Sequence, residues 1–269
     1  MTMTLISDER FNLIDQKISF FLNRLPASRL PISLMAIMEV LSKDGVYFNT
    51  FDQYAELNRI PVGLVPLRLH TDHACLQYDK NSGEAYIYYN KDLSKCMKRW
   101  DISHEIGHYI LGHYVSVGAD SGYLSEQDIQ RFEEEANYTA KQILAPDSLV
   151  IAVMAELDKT DHEFLYMVYR DLFKLSMQAS LYCAVHMEKY FRYKRVNEGL
   201  IRKYWPLLKP YISGLSNECI YDRYFYERLI ELDRYKKSRE KHTLQPVSEI
   251  MARMGYESGF YIAESNSVM

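Results

Sequence analysis

An α+β fold, mainly helical with one small antiparallel or mixed sheet, is what this sequence of 269 residues predicts. Three observations carry that expectation. Phe11, Ile14, Ile18, Phe21 and Leu22 recur at spacings of three and four, the period of a helix with one buried face, and the same period returns from Ser94 to about residue 241. Between these stretches the period shortens, and residues 64–69, 74–78 and 84–90 are short runs rich in branched and aromatic side chains. Hydrophobic residues make up 48% of the chain, enough to build a core and to exclude disorder.

Each element follows from a local signal. Residues 7–24 form a first helix, Pro26 separates it from a short apolar helix over 31–41, and 51–57 supplies a third. Asn81-Ser82-Gly83 is a turn signal that joins 74–78 and 84–90 as a hairpin. The later helical part is punctuated at 118–122, 145–146, 206–210 and 213–214 by Gly and Pro.

Charge divides the chain unevenly. The net charge is only −4, which excludes a global attraction to nucleic acid or to an anionic membrane. Residues 187–242 nevertheless hold fourteen Lys and Arg against eight Asp and Glu, with eight Tyr. A boundary near 187 is therefore expected, with an acidic part over 1–186 and a basic, Tyr-rich helical region over 187–269. The four cysteines form no C-x-x-C pair, so a disulfide framework or a thiolate metal site is not expected. The polar N-terminus and the lack of an apolar stretch near 20 residues point to a cytoplasmic protein with no membrane segment.

The chemistry is concentrated in His104-Glu105-Ile106-Gly107-His108. Four residues advance a helix by about 400°, so two histidines four apart lie about 40° apart and one turn displaced, within reach of one ion. Zinc held by three protein ligands keeps an open position for water, lowers the pKa of that water, and needs a neighbouring carboxylate to take its proton. His104 and His108 are the expected metal ligands, Glu105 the expected general base, and Zn2+ the expected cofactor.

The third ligand is expected on the helix over 130–144, where Glu133, Glu134 and Glu135 point in three directions. Glu133 shares a face with Ala136 and Asn137, and an Asn one turn from the ligand can hold the second ring nitrogen of a metal-bound histidine. Glu133 is thus the expected ligand and Asn137 its support, with Glu135 as the alternative and otherwise a bystander whose loss is mild. Small Ala136 and Ala140 let this helix approach the motif helix closely. His113 lies nine residues after His104 and points away from the ion if the helix continues past Gly112, so it is read as structural.

The run 99–113 around His104-Glu105-Ile106-Gly107-His108, the segment Glu133-Glu134-Glu135-Ala136-Asn137-Tyr138-Thr139-Ala140 and the ending Ile143-Leu144-Ala145-Pro146 together resemble the ImmA/IrrE family of metallo-endopeptidases. Leu172-Phe173-Lys174-Leu175-Ser176-Met177-Gln178-Ala179 is similar to the helix that follows in that family. The resemblance spans roughly residues 84–192. It implies a zincin-like domain and a protease that relieves repression by cutting a phage, mobile-element or stress-response repressor, so that a helix-turn-helix repressor is the implied partner. Zinc peptidases with this motif hold an extended substrate along a strand upstream of it. Tyr86, Ile87 and Tyr88 in the run 84–90 are the expected substrate strand.

Residues 246–261 resemble half of an AraC-type helix-turn-helix, but too few residues follow to complete that unit. They support the second functional reading, a non-enzymatic interaction or DNA-binding regulator that keeps a zincin shell. Glu105 separates the two, because a purely structural zinc site fills its coordination with protein ligands and has no use for a carboxylate beside an open position.

Overall fold

The computed structural model describes residues 6–114, 125–159, 161–191 and 196–215. Helix α1 (Asp8–Arg24) opens at Ser7, whose hydroxyl accepts from the Arg10 N–H, and buries the stripe Phe11, Ile14, Ile18, Phe21 and Leu22. Helix α2 (Leu34–Ser42) is capped by Ser33, and α3 (Phe51–Asn58) by a reciprocal Thr50–Gln53 capping box.

Three strands, β1 (Val46–Thr50), β2 (Ala74–Asp79) and β3 (Glu84–Tyr89), form one mixed sheet in the order β1-β3-β2. The expected hairpin joins β2 and β3, with Gly83 at φ +75° and its N–H donating to the Asp79 carbonyl. The sheet corrects two expectations. Residues 64–69 are helical, a 3₁₀ turn (Val62–Leu64) running into α4 (Val65–Leu69), because Pro66 falls in the first turn, where its missing N–H costs nothing. The third strand is instead β1, which pairs parallel to β3, so β3 is the central strand.

The sheet's alternation divides two cores. Ala85 and Ile87 of β3 join Val46 in the main core against the helices, whereas Tyr88 and Cys75 join Tyr54, Val65 and Leu69 in a smaller core on the opposite face.

Helix α5 (Lys95–Leu111) carries the histidine motif and packs along α6 (Glu126–Leu144). Helices α7 (Asp147–Leu157), α8 (His162–Met167), with a π turn over Val168–Leu172, α9 (Met177–Phe191) and α10 (Glu198–Leu215) complete the described chain.

The helix α10 runs through Pro206 and Pro210, where a break was expected. Its Leu200, Tyr204, Leu208 and Ile212, spaced by four, are buried in the main core, and that packing offsets the two interior prolines, each worth about 3 kcal/mol. Lys203 adds an ammonium that donates to the Leu22, Asn23 and Leu25 carbonyls at the end of α1. Leu200, Tyr204, Leu208 and Ile212 thus pack into the same core as the helices before them. Residues 118–122 and the helix-turn-helix-like stretch 246–261 lie outside the described residues. Among the described residues, no helix is long and apolar enough to cross a membrane.

Candidate metal centre

Helix α5 starts at Ser94, whose hydroxyl caps the Met97 N–H, and buries Ile102 and Ile106. That seating turns His104 and His108 toward α6. Their Nε2 atoms stand 3.0 Å apart. Glu133 of α6 reaches the same point, with Oε2 3.3 Å from His104 Nε2 and Oε1 3.9 Å from His108 Nε2. The ligating atoms of all three residues lie within 4.8 Å of one another.

The opposite ring nitrogens are both engaged. His104 Nδ1 lies 3.1 Å from Asn137 Oδ1, which can only accept, so this nitrogen carries the proton. His108 Nδ1 lies 2.7 Å from His113 Nδ1, and His113 Nε2 lies 2.9 Å from Glu135 Oε2. Glu135 can only accept, so His113 Nε2 carries a proton, and burial, which lowers the pKa of the ring, disfavours a second proton on Nδ1. Its Nδ1 therefore accepts from His108 Nδ1–H.

With both Nδ1 atoms committed as donors, the two Nε2 atoms face Glu133 and can share one cation. A tetrahedral zinc with bonds of about 2.0–2.1 Å separates its ligand atoms by about 3.3 Å, which the His104, His108 and Glu133 spacings approach. Glu133 Oε1 is buried with no hydrogen-bond partner, as a carboxylate oxygen awaiting a metal would be. Burial works against a charge on His104, yet Glu133, Glu105 and Asn137 bring it up to about 9. Burial, with the neighbouring His104 and His113 rings, pushes His108 the other way. By donor type and spacing the residues present fit a zinc ion.

Glu105 is buried beside this cluster and is not one of the three converging groups. Burial pushes its carboxyl up to about 8, Glu133 and Asp101 add to the shift, and His104 and a hydrogen bond from the Leu76 N–H oppose it. That contact brings β2 alongside α5. One turn before Glu105, Asp101 accepts from His73 Nδ1 at 2.9 Å, at the start of the same strand.

Two expectations need correcting. Glu135 is no bystander: it is fully buried, accepts from Arg10 Nε at 2.8 Å and Nη2 at 2.7 Å, and these contacts with His113 hold its carboxyl at about 2 against the effect of burial. His113 is not one of the converging ligands: Gly112 takes φ +73°, ends α5 and returns His113 behind His108. The strand holding Tyr86, Ile87 and Tyr88 is not an edge. Its partners are Tyr47 and Gln77 for Tyr86, Phe48 and Leu76 for Ile87, and Asn49 and Cys75 for Tyr88, so its main chain is used within the sheet. The Tyr86 hydroxyl bonds Glu84 at 2.7 Å, and Tyr88 packs edge-on against Tyr54.

One contributor escaped the sequence reading: Arg10 carried no signal, since it meets Glu135 across 125 residues of chain.

Residues 59–182 match the family model described as the IrrE N-terminal-like domain, Peptidase_M78. Over 129 residues, 46% of this chain and 75% of the relative, the sequence is 27% identical to uncharacterized immunity region protein 2 of Bacillus phage phi105. The family match supports a metallopeptidase, in line with the resemblance to the ImmA/IrrE family. The family match contains α5, α6 and the converging His104, His108 and Glu133, and it excludes α1.

Proposed function

We propose that this chain is a zinc-dependent endopeptidase that cleaves a regulatory protein, a helix-turn-helix repressor of a phage, mobile element or stress response. The observation that carries this reading is the convergence of His104, His108 and Glu133 with both histidine Nδ1 atoms already engaged as donors, beside a buried carboxylate, Glu105, that is not in the ligand set. The phage relative belongs by its name to an immunity region, which supports a repressor as the substrate class.

Bound between these residues, zinc supplies the Lewis acidity that polarises a peptide carbonyl and acidifies a water. The chain's own groups do the rest. Glu105 takes a proton from the attacking water and delivers it to the departing amine nitrogen, so the cleaved bond gains one water overall. Its raised pKa suits it to hold that proton between the two events. Asn137 and His113 keep the two imidazoles from rotating.

The substrate lies in extended form along β2, the sheet edge that reaches α5 through Leu76 and Glu105. An added strand there gains affinity from main-chain hydrogen bonds and leaves its side chains to be read for specificity. His73, paired with Asp101, sits at one end of this edge.

The test is to incubate the zinc-loaded protein with each helix-turn-helix protein encoded beside its gene and to look for fragments by mass spectrometry. Fragments that form with the wild-type chain and not with Glu105→Gln support the proposal. A protein that binds no zinc, or cleavage that survives Glu105→Gln, overturns it.

A further inference from the structure

The contact between α1 and the supporting carboxylate carries a second conclusion, which rests on reading the cluster as a zinc centre. We propose that Arg10, on a helix outside the family-matched segment, is a positioning residue of the metal centre: through Glu135 and His113 it sets the orientation of the His108 ring, and so the affinity of the site for its ion.

The chain of contacts has one consistent direction. Arg10 grips both oxygens of Glu135 in a bidentate pair, at 2.8 Å and 2.7 Å. Glu135 Oε2 accepts from His113 Nε2–H at 2.9 Å, and His113 Nδ1 accepts from His108 Nδ1–H at 2.7 Å. Every proton in the series is given outward from the ligand, which leaves the His108 Nε2 lone pair aimed at the ion. If Glu135 is displaced, the His113 ring loses the acceptor that fixes its proton on Nε2, and its Nδ1 can become a donor facing the His108 donor. The ligand ring would then have to turn.

The middle of this series cannot drift on its own. The His113 ring lies flat on Phe132, with centroids 4.3 Å apart and planes 14° from parallel, and both His113 and Glu135 are buried. The outer end is held from α1. Phe11 packs edge-on against Tyr138 of α6, the Tyr138 hydroxyl donates to Asp15 at 2.7 Å, and Lys17 donates to the Ile110 carbonyl near the end of α5 at 3.0 Å. The helix α1 therefore touches both helices that carry the cluster, two residues after His108 on α5 and five after Glu133 on α6. Arg131 also approaches Glu135, at 4.0 Å, from an exposed position on α6 itself; at that distance it adds charge without direction.

A half-buried ion pair that only holds two helices together would change stability and leave the ion's surroundings alone. The two roles separate in one experiment on the full chain. Zinc affinity is measured by chelator competition, the visible spectrum is recorded with Co2+ in place of zinc, and apo-protein melting is followed for wild type, Arg10→Met, Arg10→Lys, His113→Asn and Arg131→Ala. The expected result is that Arg10→Met and His113→Asn weaken zinc binding about 10- to 100-fold, as changes behind a metal ligand do, and shift the Co2+ bands. Arg10→Lys recovers part of the loss, and Arg131→Ala behaves as wild type. Wild-type zinc affinity and an unchanged Co2+ spectrum in Arg10→Met overturn the proposal, even if its melting temperature falls. Should Arg10→Met not fold, His113→Asn decides by the same two readouts. A wild-type chain that binds no metal refutes the zinc reading itself, a separate outcome from loss of the Arg10 effect.

Discussion

Gly107 lies directly against the backbone of Ala136: a Cβ placed on Gly107 would stand 3.0 Å from the Ala136 carbonyl oxygen and 3.1 Å from its Cα. The contact is made by backbone on both sides, so neither partner can yield by rotating a side chain. It sits one turn from Glu133 on α6 and next to His108 on α5, and it sets the spacing between the two helices that bring the ligands together. Gly107→Ala gains about 1 kcal/mol of helix propensity and loses about 1–3 kcal/mol to overpacking. The expected outcome is a modest change in melting temperature with a much larger loss of zinc affinity, checked by calorimetry and chelator competition. An Ala variant that binds zinc as wild type does would show that the helix spacing is not critical.

Removing the base without removing a ligand separates chemistry from binding. Glu105→Gln should retain one zinc per chain and the wild-type fold while cleavage falls by about 10²–10⁴-fold, the usual contribution of general acid–base catalysis. Metal content by atomic emission and a single-turnover cleavage assay check this.

The three neighbouring glutamates should fail in different ways. Glu133→Ala loses zinc and activity together, and Asn137→Ala loses about 10- to 100-fold in affinity. Glu135→Ala leaves the buried His113 Nε2–H without its acceptor and Arg10 without its partner, a loss of about 1–3 kcal/mol. Its signature is a lowered melting temperature as well as weakened zinc binding, unlike Glu133→Ala. Thermal melts of the apo proteins discriminate the two.

The His73–Asp101 pair makes stability depend on pH. The hydrogen bond to Asp101 raises the His73 pKa against the effect of burial. A raised pKa means that the folded state prefers the charged ring. The added stability is therefore complete below the ordinary histidine value of 6.5 and is lost as pH rises through the raised value. Asp101→Asn should lower the melting temperature at pH 6 and do little at pH 9. The effect is about 0.5 kcal/mol, since the imidazole is one-third exposed and solvent screens the pair. An equal difference at both pH values would remove the charge from the explanation.

What the sequence determined by itself is whatever a helix or strand decides within a few residues. The spacing of His104 and His108, the carboxylate between them, the face shared by Glu133 and Asn137, the buried stripe of α1 and the β2–β3 hairpin all follow from the periods 3.6 and 2 and from turn chemistry. Tertiary structure decided the rest, because those contacts join segments whose separation leaves no local trace. Val46–Thr50 shows no marked alternation, yet it pairs with β3 and makes the strand of Tyr86, Ile87 and Tyr88 central, with β1 and β2 at the edges. The interior prolines of α10 read as breaks until the buried stripe Leu200, Tyr204, Leu208 and Ile212 holds the helix together. The return of His113 depends on the left-handed turn at Gly112, a signal that could be seen but whose direction could not. Arg10 and Glu135, 125 positions apart, are brought together only when α1 buries Phe11 against Tyr138, and no periodicity within either helix encodes that meeting.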